Sequence, residues 1–457
     1  MIRETIQDVD EWAAQQWEAA ELEDQRRTAR AVALGAQLAA QPGGSLPEQT
    51  GSWKELKAAY RLLNEADVTH ARLGAPHWEA TRQRARLSDG VVLFIQDGSE
   101  LDFTRHPSVV GLGRLNKAQR HGLLLHTCLA WSPTTGEIGV AAQRVWRRPP
   151  EIKSRVESKH ACSLRATEYD VWAETLQELG AAPARQSGVR WISVGDRASD
   201  IYGYFRQAQE LGWEVVARAA RDRIMYSLSG ERGYLMRWAR SLRGQATRQV
   251  SLRGRDGLPK RTATLQVAWA DCEMPAPQDG KERGGEPLRV SIIRAWETDA
   301  PSGVEPLEWV LVTSLVVSDS ASALEVLGYY EKRWIIEEYH KCLKTGCAIE
   351  ARQLETADGL EALLGLLAIV AVRLLQLREA SRQQPDAPAR QFIAPELLTT
   401  VQSYLKLPLG DLTLREFWRA VARLGGFIGR ASDGAPGWQT LWRGWRKLQD
   451  LAWQPSP

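Results

Sequence analysis

The run Val91-Val92-Leu93-Phe94-Ile95-Gln96-Asp97 decides the fold class. Five consecutive apolar residues that end in a polar pair predict a short strand buried on both faces. Two further strands near 121–131 and 138–146 are separated by a turn and predict a hairpin. The strand at 189–194, a helix at 199–211 and a strand at 214–218 predict a crossover connection. Hairpin and crossover strands together predict a mixed sheet, and the fold class is α/β.

A β-rich block interrupts this core between about 225 and 316. Its predicted strands lie at 247–254, 261–270, 288–296 and 308–315. Apolar residues recur at helical spacing near both ends of the chain. The sequence therefore predicts an α/β core with a β-rich insertion, between two helical regions.

Two carboxylates follow predicted core strands. Asp97 ends the first strand, and Asp196 ends the first crossover strand. Sites in open α/β sheets form beyond strand ends, and carboxylate oxygens are ligands that Mg²⁺ or Mn²⁺ prefers. The alternative is structural: Asp97 forms a turn with Gly98, and Asp196 pairs with Arg190 or Arg197.

A third carboxylate lies in the segment 330–344, which is predicted to be one helix. At about 100° per residue, one arc of about 80° collects a tyrosine, a glutamate and three cations. These residues are Tyr330, Arg333, Glu337, Lys341 and Lys344. The opposite arc is apolar and predicts contact with a core: Ile335, Ile336, Cys342 and Leu343. The row suits a metal-binding carboxylate flanked by groups that bind a polyanion; the alternative is a solvated face with an i,i+4 ion pair.

The overall charge does not by itself predict a nucleic-acid partner. The 457 residues carry a net charge of only +3, so binding of a polyanion requires local clusters. Such clusters include the residues from Arg218 to Arg223 and an N-terminal helix with Arg26, Arg27 and Arg30. This arginine row suits a DNA-reading module, and a generic solvated surface is the alternative.

Cysteine usage and hydropathy predict a cytoplasmic protein. Five scattered cysteines are typical of a reducing compartment, and no signal peptide is recognised at the start. The apolar run 360–377 carries Glu361 and Arg373. It is predicted to be a buried helix, with no membrane partner.

Five segments carry a family resemblance. The pattern Y-x-x-R-x-x-x-E-x-x-x-x-x-x-K spans 330–344, and D-R-x-x-D-I spans 196–201. The other matching segments are 24–30, 309–314 and 371–379. With these segments the chain resembles the bacterial DDE cut-and-paste transposases of the insertion-sequence-four group, over nearly its whole length.

The resemblance implies a ribonuclease H-like core. It implies that Asp97, Asp196 and Glu337 are the catalytic, metal-binding triad, with Mg²⁺ as the metal and Mn²⁺ also supporting activity. The expected DNA-contacting residues are Tyr330, Arg333, Lys341, Lys344, Trp309, Arg218, Arg26, Arg27 and Arg30. Trp309 is expected to stack on a flipped base; the alternative is a half-buried strand tryptophan. Gly98-Ser99 departs from the family, which commonly has two threonines there.

The expected function is a DNA transposase. Residues 1–70 would bind double-stranded DNA at terminal inverted repeats, 71–370 would form the catalytic core, and 371–457 would form a homodimer in the DNA complex. The core would nick transposon ends, form and open hairpins, and transfer strands into target DNA. Two alternatives stay open: a domesticated DNA-binding protein that does not cut, and a ribonuclease H-like nuclease without strand transfer.

Overall fold

The computed structural model divides the chain into two compact units, and each is described by itself. It describes residues 9–117, 119–148, 168–252, 261–408, 410–430 and 436–452. The helical unit comprises Met1–Arg84, Gly98–Glu151 and Ile336–Pro457, and the sheet unit comprises Ala85–Asp97 and Ile152–Ile335. Cys162 and residues 253–254 of a predicted strand lie outside the described residues. The domain boundaries expected from the sequence stay predictions.

Of the described elements, five helices precede the first strand, helices and strands mix in the middle of the chain, and only helices follow the last strand. The helices are α1 (Val9–Trp17), α2 (Gln25–Ala40), α3 (Leu46–Thr50), α4 (Trp53–Leu63), α5 (His70–Arg86), α6 (Val171–Leu179), α7 (Tyr202–Glu210), α8 (Leu235–Ser241), α9 (Ser320–Glu331), α10 (Trp334–Lys341), α11 (Ala357–Gln383), α12 (Pro395–Leu405), α13 (Leu414–Leu424) and α14 (Trp438–Ala452). The strands are β1 (Gly90–Asp102), β2 (Gly113–Arg114), β3 (His121–Trp131), β4 (Ile138–Trp146), β5 (Val189–Gly195), β6 (Glu214–Arg218), β7 (Ile224–Ser227), β8 (Arg232–Tyr234), β9 (Ala246–Leu252), β10 (Arg261–Met274), β11 (Leu288–Glu297) and β12 (Glu308–Thr313).

The sheet unit is built on a mixed sheet. Its strand order is β1-β5-β6-β12-β11-β10-β7-β8, and β9 pairs with β10. The first three strands pair in parallel, whereas β12, β11 and β10 pair antiparallel. This confirms the large mixed sheet and the α/β class. The strands predicted at 189–194 and 214–218 are confirmed as β5 and β6.

Aromatic packing fixes the first crossover strands. The side chains of Leu93, Phe94 and Ile95 are wholly buried, which confirms a strand covered on both faces. The rings of Phe94, Trp191 and Trp213 have centroids 4.6–4.8 Å apart in tilted or edge-on arrangements. Such contacts add to the stabilisation from burial alone. The apolar run therefore anchors β1 against β5.

The helical unit surrounds one long apolar helix. The span Ala357–Glu379 of α11 contains an 18-residue window with a mean hydropathy of 2.0, and 89% of that window is buried inside the structure. By length and composition it is apolar enough to cross a membrane, but its burial is that of a core helix, as predicted. The predicted hairpin strands are confirmed as β3 and β4, which pair antiparallel.

The helix predicted after β5 needs correction. The helix predicted at 199–211 is a short 3₁₀ turn, Arg197–Ser199, followed by α7 from Tyr202. Asp196 caps the 3₁₀ turn with its side chain, so the first residues after β5 are held in a tighter turn than an α-helix allows.

Two helical glycines give a matched test of packing. A Cβ at Gly35 in α2 would lie 2.2 Å from the Trp17 ring, whereas a Cβ at Gly328 in α9 would meet no atom within 4 Å. We expect Gly35→Ala to destabilise the fold by about 1–3 kcal/mol because the core is overpacked. Gly328→Ala should be neutral or stabilising by up to about 1 kcal/mol. Denaturant unfolding measures both, and equal effects of the two substitutions would contradict this packing.

Candidate functional site

Asp97 and Asp196 occupy matching positions on two neighbouring parallel strands. Ile95 of β1 pairs with Val194 of β5, and each aspartate follows its paired residue by two positions. The backbone of Asp196 is still extended, with φ −82° and ψ −161°. Residues two apart on a strand share a face, and neighbouring strands lie about 4.8 Å apart. Continued by two residues, this register puts the two half-buried carboxylates on the same face of neighbouring strands.

Asp97 does not end its strand, which corrects the prediction. Strand β1 continues through Asp97 to Asp102, and Gly98 forms no turn, so the turn alternative is also wrong. Beyond β1, the Phe103 N–H donates to the carbonyl of His121 at 2.9 Å. Pairing to a distant part of the chain extends the strand, and local sequence does not reveal such pairing.

Asp196 is held by the turn that follows it. Its carboxylate accepts a hydrogen bond from the Ala198 N–H at 2.8 Å, and its carbonyl accepts one from the Ser199 hydroxyl at 2.7 Å. In the described part of the chain it forms no ion pair with Arg190 or Arg197. Because only one carboxylate oxygen is engaged by the cap, the group is oriented and still able to bind a ligand.

Asp200 is an anchor that the sequence reasoning missed. Its side chain is wholly buried and forms an ion pair with Arg223 at 2.5 Å. It also accepts a hydrogen bond from the Ala220 N–H at 2.7 Å, and Arg223 donates to the Asp200 carbonyl at 2.5 Å. These contacts join the turn that carries Asp196 to the segment after β6. The spacing D-R-x-x-D was visible in the sequence, but its second aspartate was not given a role.

The segment 330–344 is not one helix, which corrects the prediction from the sequence. Helix α9 ends at Glu331, Lys332 and Arg333 form a turn, and α10 is followed by a π-helix at Cys342–Gly346. Bonds of the i→i+3 type, such as Arg333 N–H to the Tyr330 carbonyl, tighten the turn. The apolar side is nevertheless buried as predicted: Ile335, Ile336, Cys342 and Leu343.

Arg333 lies next to the first aspartate instead of on a solvated face. Its guanidinium is 3.6 Å from the Asp97 carboxylate, and its side chain is only 9% exposed. It also lies over the Trp334 ring at 5.0 Å and beside the Tyr330 ring at 6.0 Å. The structure thus brings one predicted phosphate-binding group to one predicted catalytic carboxylate.

Tyr330 and Trp309 form a buried aromatic pair in the same unit. Their ring centroids are 5.5 Å apart in an edge-to-face arrangement, and Trp309 is 8% exposed. Burial raises the pKa of the Tyr330 hydroxyl, and the neighbouring Arg333 and Arg218 oppose that rise. Arg218 also donates to the Glu308 carbonyl at 3.1 Å. Two cations therefore flank a tyrosine that stays protonated at neutral pH.

The other residues of the predicted row lie in the helical unit. Glu337 is half-buried on α10, and Lys341 is exposed. Lys344 donates to the Glu100 carbonyl at 2.5 Å and lies 3.4 Å from the Glu350 carboxylate. Lys344 is therefore tied to its own unit, and Lys341 is the more accessible cation.

Two buried contacts fix α10 around Glu337. Glu338 forms an ion pair with Arg378 of α11 at 2.6 Å, and both side chains are largely buried. The Tyr339 hydroxyl accepts a hydrogen bond from the Gln143 amide at 3.0 Å. Since the residues after Glu337 are anchored on two sides, the backbone beneath its carboxylate is held in place.

The N-terminal arginine row is mostly engaged. Arg27 pairs with Glu65 and Asp67, and Arg30 pairs with Glu55. The side chain of Arg26 is 92% exposed, and its one ion pair among the described residues is with its neighbour Asp24 at 2.8 Å. Of the three, Arg26 is the one presented to solvent.

The two aspartates suit a hard divalent cation. Their carboxylate oxygens are the ligand type that Mg²⁺ and Mn²⁺ prefer, and such ions keep positions for water or phosphate. Within the described ranges, no group of three or more His, Cys, Asp or Glu side chains is arranged to hold a metal ion. The sheet unit by itself contributes two candidate ligands, the carboxylates of Asp97 and Asp196.

Two family models match separate segments. Residues 9–68 match the model described as "Transposase DNA-binding", and residues 168–373 match the model described as "Transposase DDE domain". The first segment contains Arg26, Arg27 and Arg30. The second contains Asp196 and Glu337, whereas Asp97 precedes it. DDE domains generally use divalent metal ions, in agreement with the chemistry of the aspartate pair.

Asp200 gives a direct test of how Asp196 is positioned. We expect Asp200→Asn to leave Arg223 without its buried partner, which typically destabilises by about 3–5 kcal/mol. Amide hydrogen exchange should accelerate in the segments 196–201 and 219–223 before the rest of the sheet unit is affected. Asp279→Asn, at an exposed aspartate of the same unit, is the matched control. Unchanged exchange in both segments would contradict the anchoring role.

Proposed function

We propose that this chain belongs to the insertion-sequence-four group of bacterial cut-and-paste transposases and resembles the transposase of transposon five. Its two matched domains make it a DDE transposase, an enzyme that binds and acts on DNA. The observation that carries the proposal is that Asp97 and Asp196 each follow the registered pair Ile95 and Val194 by two positions, with the Arg333 guanidinium 3.6 Å from Asp97. The Y-R-E-K signature in 330–344 supports the same group.

The proposed catalytic core is ribonuclease H-like and interrupted by a β-rich insertion. The parallel trio β1, β5 and β6 and the antiparallel strands between β7 and β12 support this arrangement. In the proposal Asp97, Asp196 and Glu337 are the catalytic carboxylates and hold Mg²⁺, or Mn²⁺ in its place. The ions, when bound, stabilise the charge that develops during in-line phosphoryl transfer.

The residues around the carboxylates would position the DNA strand. Arg333 is close enough to Asp97 to hold a phosphate next to the site, and a guanidinium matches phosphate geometry. Tyr330 and Arg218 would contact neighbouring phosphates, with Lys341 and Lys344 further along the strand. Trp309 would stack on a flipped base, for which its ring must exchange the edge contact with Tyr330 for the base.

The proposed reaction is a series of phosphoryl transfers at one site. Water first breaks the phosphodiester bond at the transposon end and leaves a 3′-hydroxyl. That hydroxyl loses its proton, its oxygen attacks the phosphorus of the opposite strand, and the flanking 3′-oxygen leaves, so the end closes as a hairpin. Water then opens the hairpin and regenerates the 3′-hydroxyl. This hydroxyl loses its proton, its oxygen attacks a phosphorus of target DNA, and the target strand's own 3′-oxygen leaves.

The helical regions would bring the DNA and a second protomer to this core. Residues 1–70 would recognise the terminal inverted repeats, with Arg26 as the exposed arginine of its row. The C-terminal region, 371–457, would form the homodimer that holds two ends together. The proposed location is the bacterial cytoplasm, in association with the nucleoid.

Glu337→Ala tests the third carboxylate. We expect cleavage of an end-containing duplex in Mg²⁺ to fall by about 100-fold or more, because the loss of a metal ligand removes several kcal/mol of transition-state stabilisation. Binding of the same duplex, measured by gel shift, should persist. Normal nicking by this variant would remove Glu337 from the proposed triad.

The wild-type protein should also join a pre-cut 3′ end to a plasmid. A ribonuclease H-like nuclease without strand transfer would cleave the duplex and give no joined product. A domesticated DNA-binding protein would do neither.

Arg333→Ala tests the phosphate contact. We expect weaker end binding and a slope of log affinity against log salt that is shallower by about 1, since one phosphate contact releases its counterion. Arg333→Lys keeps the charge and should retain most of the slope. An unaltered slope for Arg333→Ala would show that this residue serves Asp97 alone.

A further inference from the structure

An exposed tyrosine between two arginines lies in the sheet unit, and none of these three residues has a role in the site described above. The arginine patch consists of Arg232, Tyr234 and Arg237. Tyr234 is 42% exposed, and the guanidinium carbons of Arg232 and Arg237 lie 5.9 and 5.8 Å from its ring centroid. Cation–π attraction therefore holds both charges at one surface.

The backbone presents this patch rigidly. Strand β8 is the last in the strand order of the sheet unit, and Tyr234 precedes the first residue of α8. On its C-terminal side, the Leu235 N–H donates to the Arg223 carbonyl at 2.9 Å, and the Met236 N–H donates to the Asp222 carboxylate at 2.7 Å. Leu235 is wholly buried. The chain is thus fixed directly beside an aromatic ring that faces solvent.

The surrounding sequence is strongly basic. Residues 218–243 contain seven arginines, one aspartate and one glutamate, which is 7 − 2 = +5, whereas the whole chain carries +3. Part of this charge is internal, because Arg223 pairs with Asp200 and Arg240 pairs with Glu308. In the described residues, Arg232 and Arg237 form no ion pair.

The spacing of the patch fits a phosphate backbone. The two guanidinium carbons lie at most 5.9 + 5.8 = 11.7 Å apart. One strand of duplex DNA carries a phosphate about every 3.4 Å of helix axis, so both arginines reach phosphates of one strand. Phosphate contacts position DNA without reading its sequence.

We propose that the arginine patch binds the backbone of target DNA without sequence preference. This rests on the proposed function, because target DNA is the duplex that a transposase must accept whatever its sequence. Transposon ends are assigned to other residues, those of 9–68 and of the Y-R-E-K signature. Tyr234 acts as the support that keeps the two guanidinium groups in place.

The test compares two double variants of the full chain in the absence of divalent metal. Arg232→Ala with Arg237→Ala removes the patch charges. Arg283→Ala with Arg289→Ala removes the same charge from exposed positions of the same unit. Binding is measured to a generic duplex without end sequence and, separately, to an end-containing duplex, and circular dichroism confirms that each variant is folded.

The patch variant should bind the generic duplex about tenfold or more weakly, with a salt slope shallower by about 2. Its end binding should change much less, and the control variant should resemble wild type. Tyr234→Phe should retain binding, because the ring and not the hydroxyl holds the arginines, whereas Tyr234→Ala should weaken it.

Equal losses in the patch and control variants would overturn the proposal, since net charge alone would then explain them. Equal losses on generic and end-containing duplexes would also overturn it. If the wild type itself does not distinguish the end-containing duplex from the generic one, the proposed end recognition fails instead, and the patch is still judged by the comparison with its control.

Discussion

The parallel pairing of β1 with β5 is the constraint on which the site depends. The register Ile95 to Val194, continued by two residues, puts Asp97 and Asp196 on the same face of two neighbouring strands. The apolar run before Asp97 secures that register, because Phe94 packs among Trp191 and Trp213. A slip by one residue would turn one carboxylate to the other face. The packing that stabilises the core therefore also fixes the positions of the two carboxylates.

Much of the core could be predicted from the sequence, since buried strands leave local patterns, and the end of β5 just before Asp196 was predicted in the same way. The extension of β1 beyond Asp97 could not, because its polar residues gain strand structure only from distant pairing. Lys332 and Arg333 favour helices in isolation, so nothing local marked the break between α9 and α10. The Arg333 side chain lies next to the Asp97 carboxylate, and this contact forms only in the folded chain.

Arginine content alone did not reveal which cations are available to DNA. Arg27 and Arg30 looked like a reading row but pair with acidic residues of their own unit. Arg232 and Arg237 drew no attention in the sequence, yet they are exposed on either side of Tyr234. Residues distant in the chain decide whether an arginine is paired within the protein or exposed to solvent. The structure is therefore needed to tell paired arginines from exposed ones.

Metal binding is the property that most sharply distinguishes a paired aspartate site from two unrelated carboxylates. Mn²⁺ binding to the full chain, followed by electron paramagnetic resonance of the free ion, needs neither DNA nor catalysis. Asp97→Asn and Asp196→Asn should each weaken Mn²⁺ binding by about tenfold or more, because each removes a metal ligand and even changes to outer-shell groups have effects of that size. The control Asp279→Asn should leave Mn²⁺ binding unchanged. If either aspartate variant binds Mn²⁺ like the wild type, the two carboxylates do not form one metal site, and the account built on the β1–β5 register is wrong.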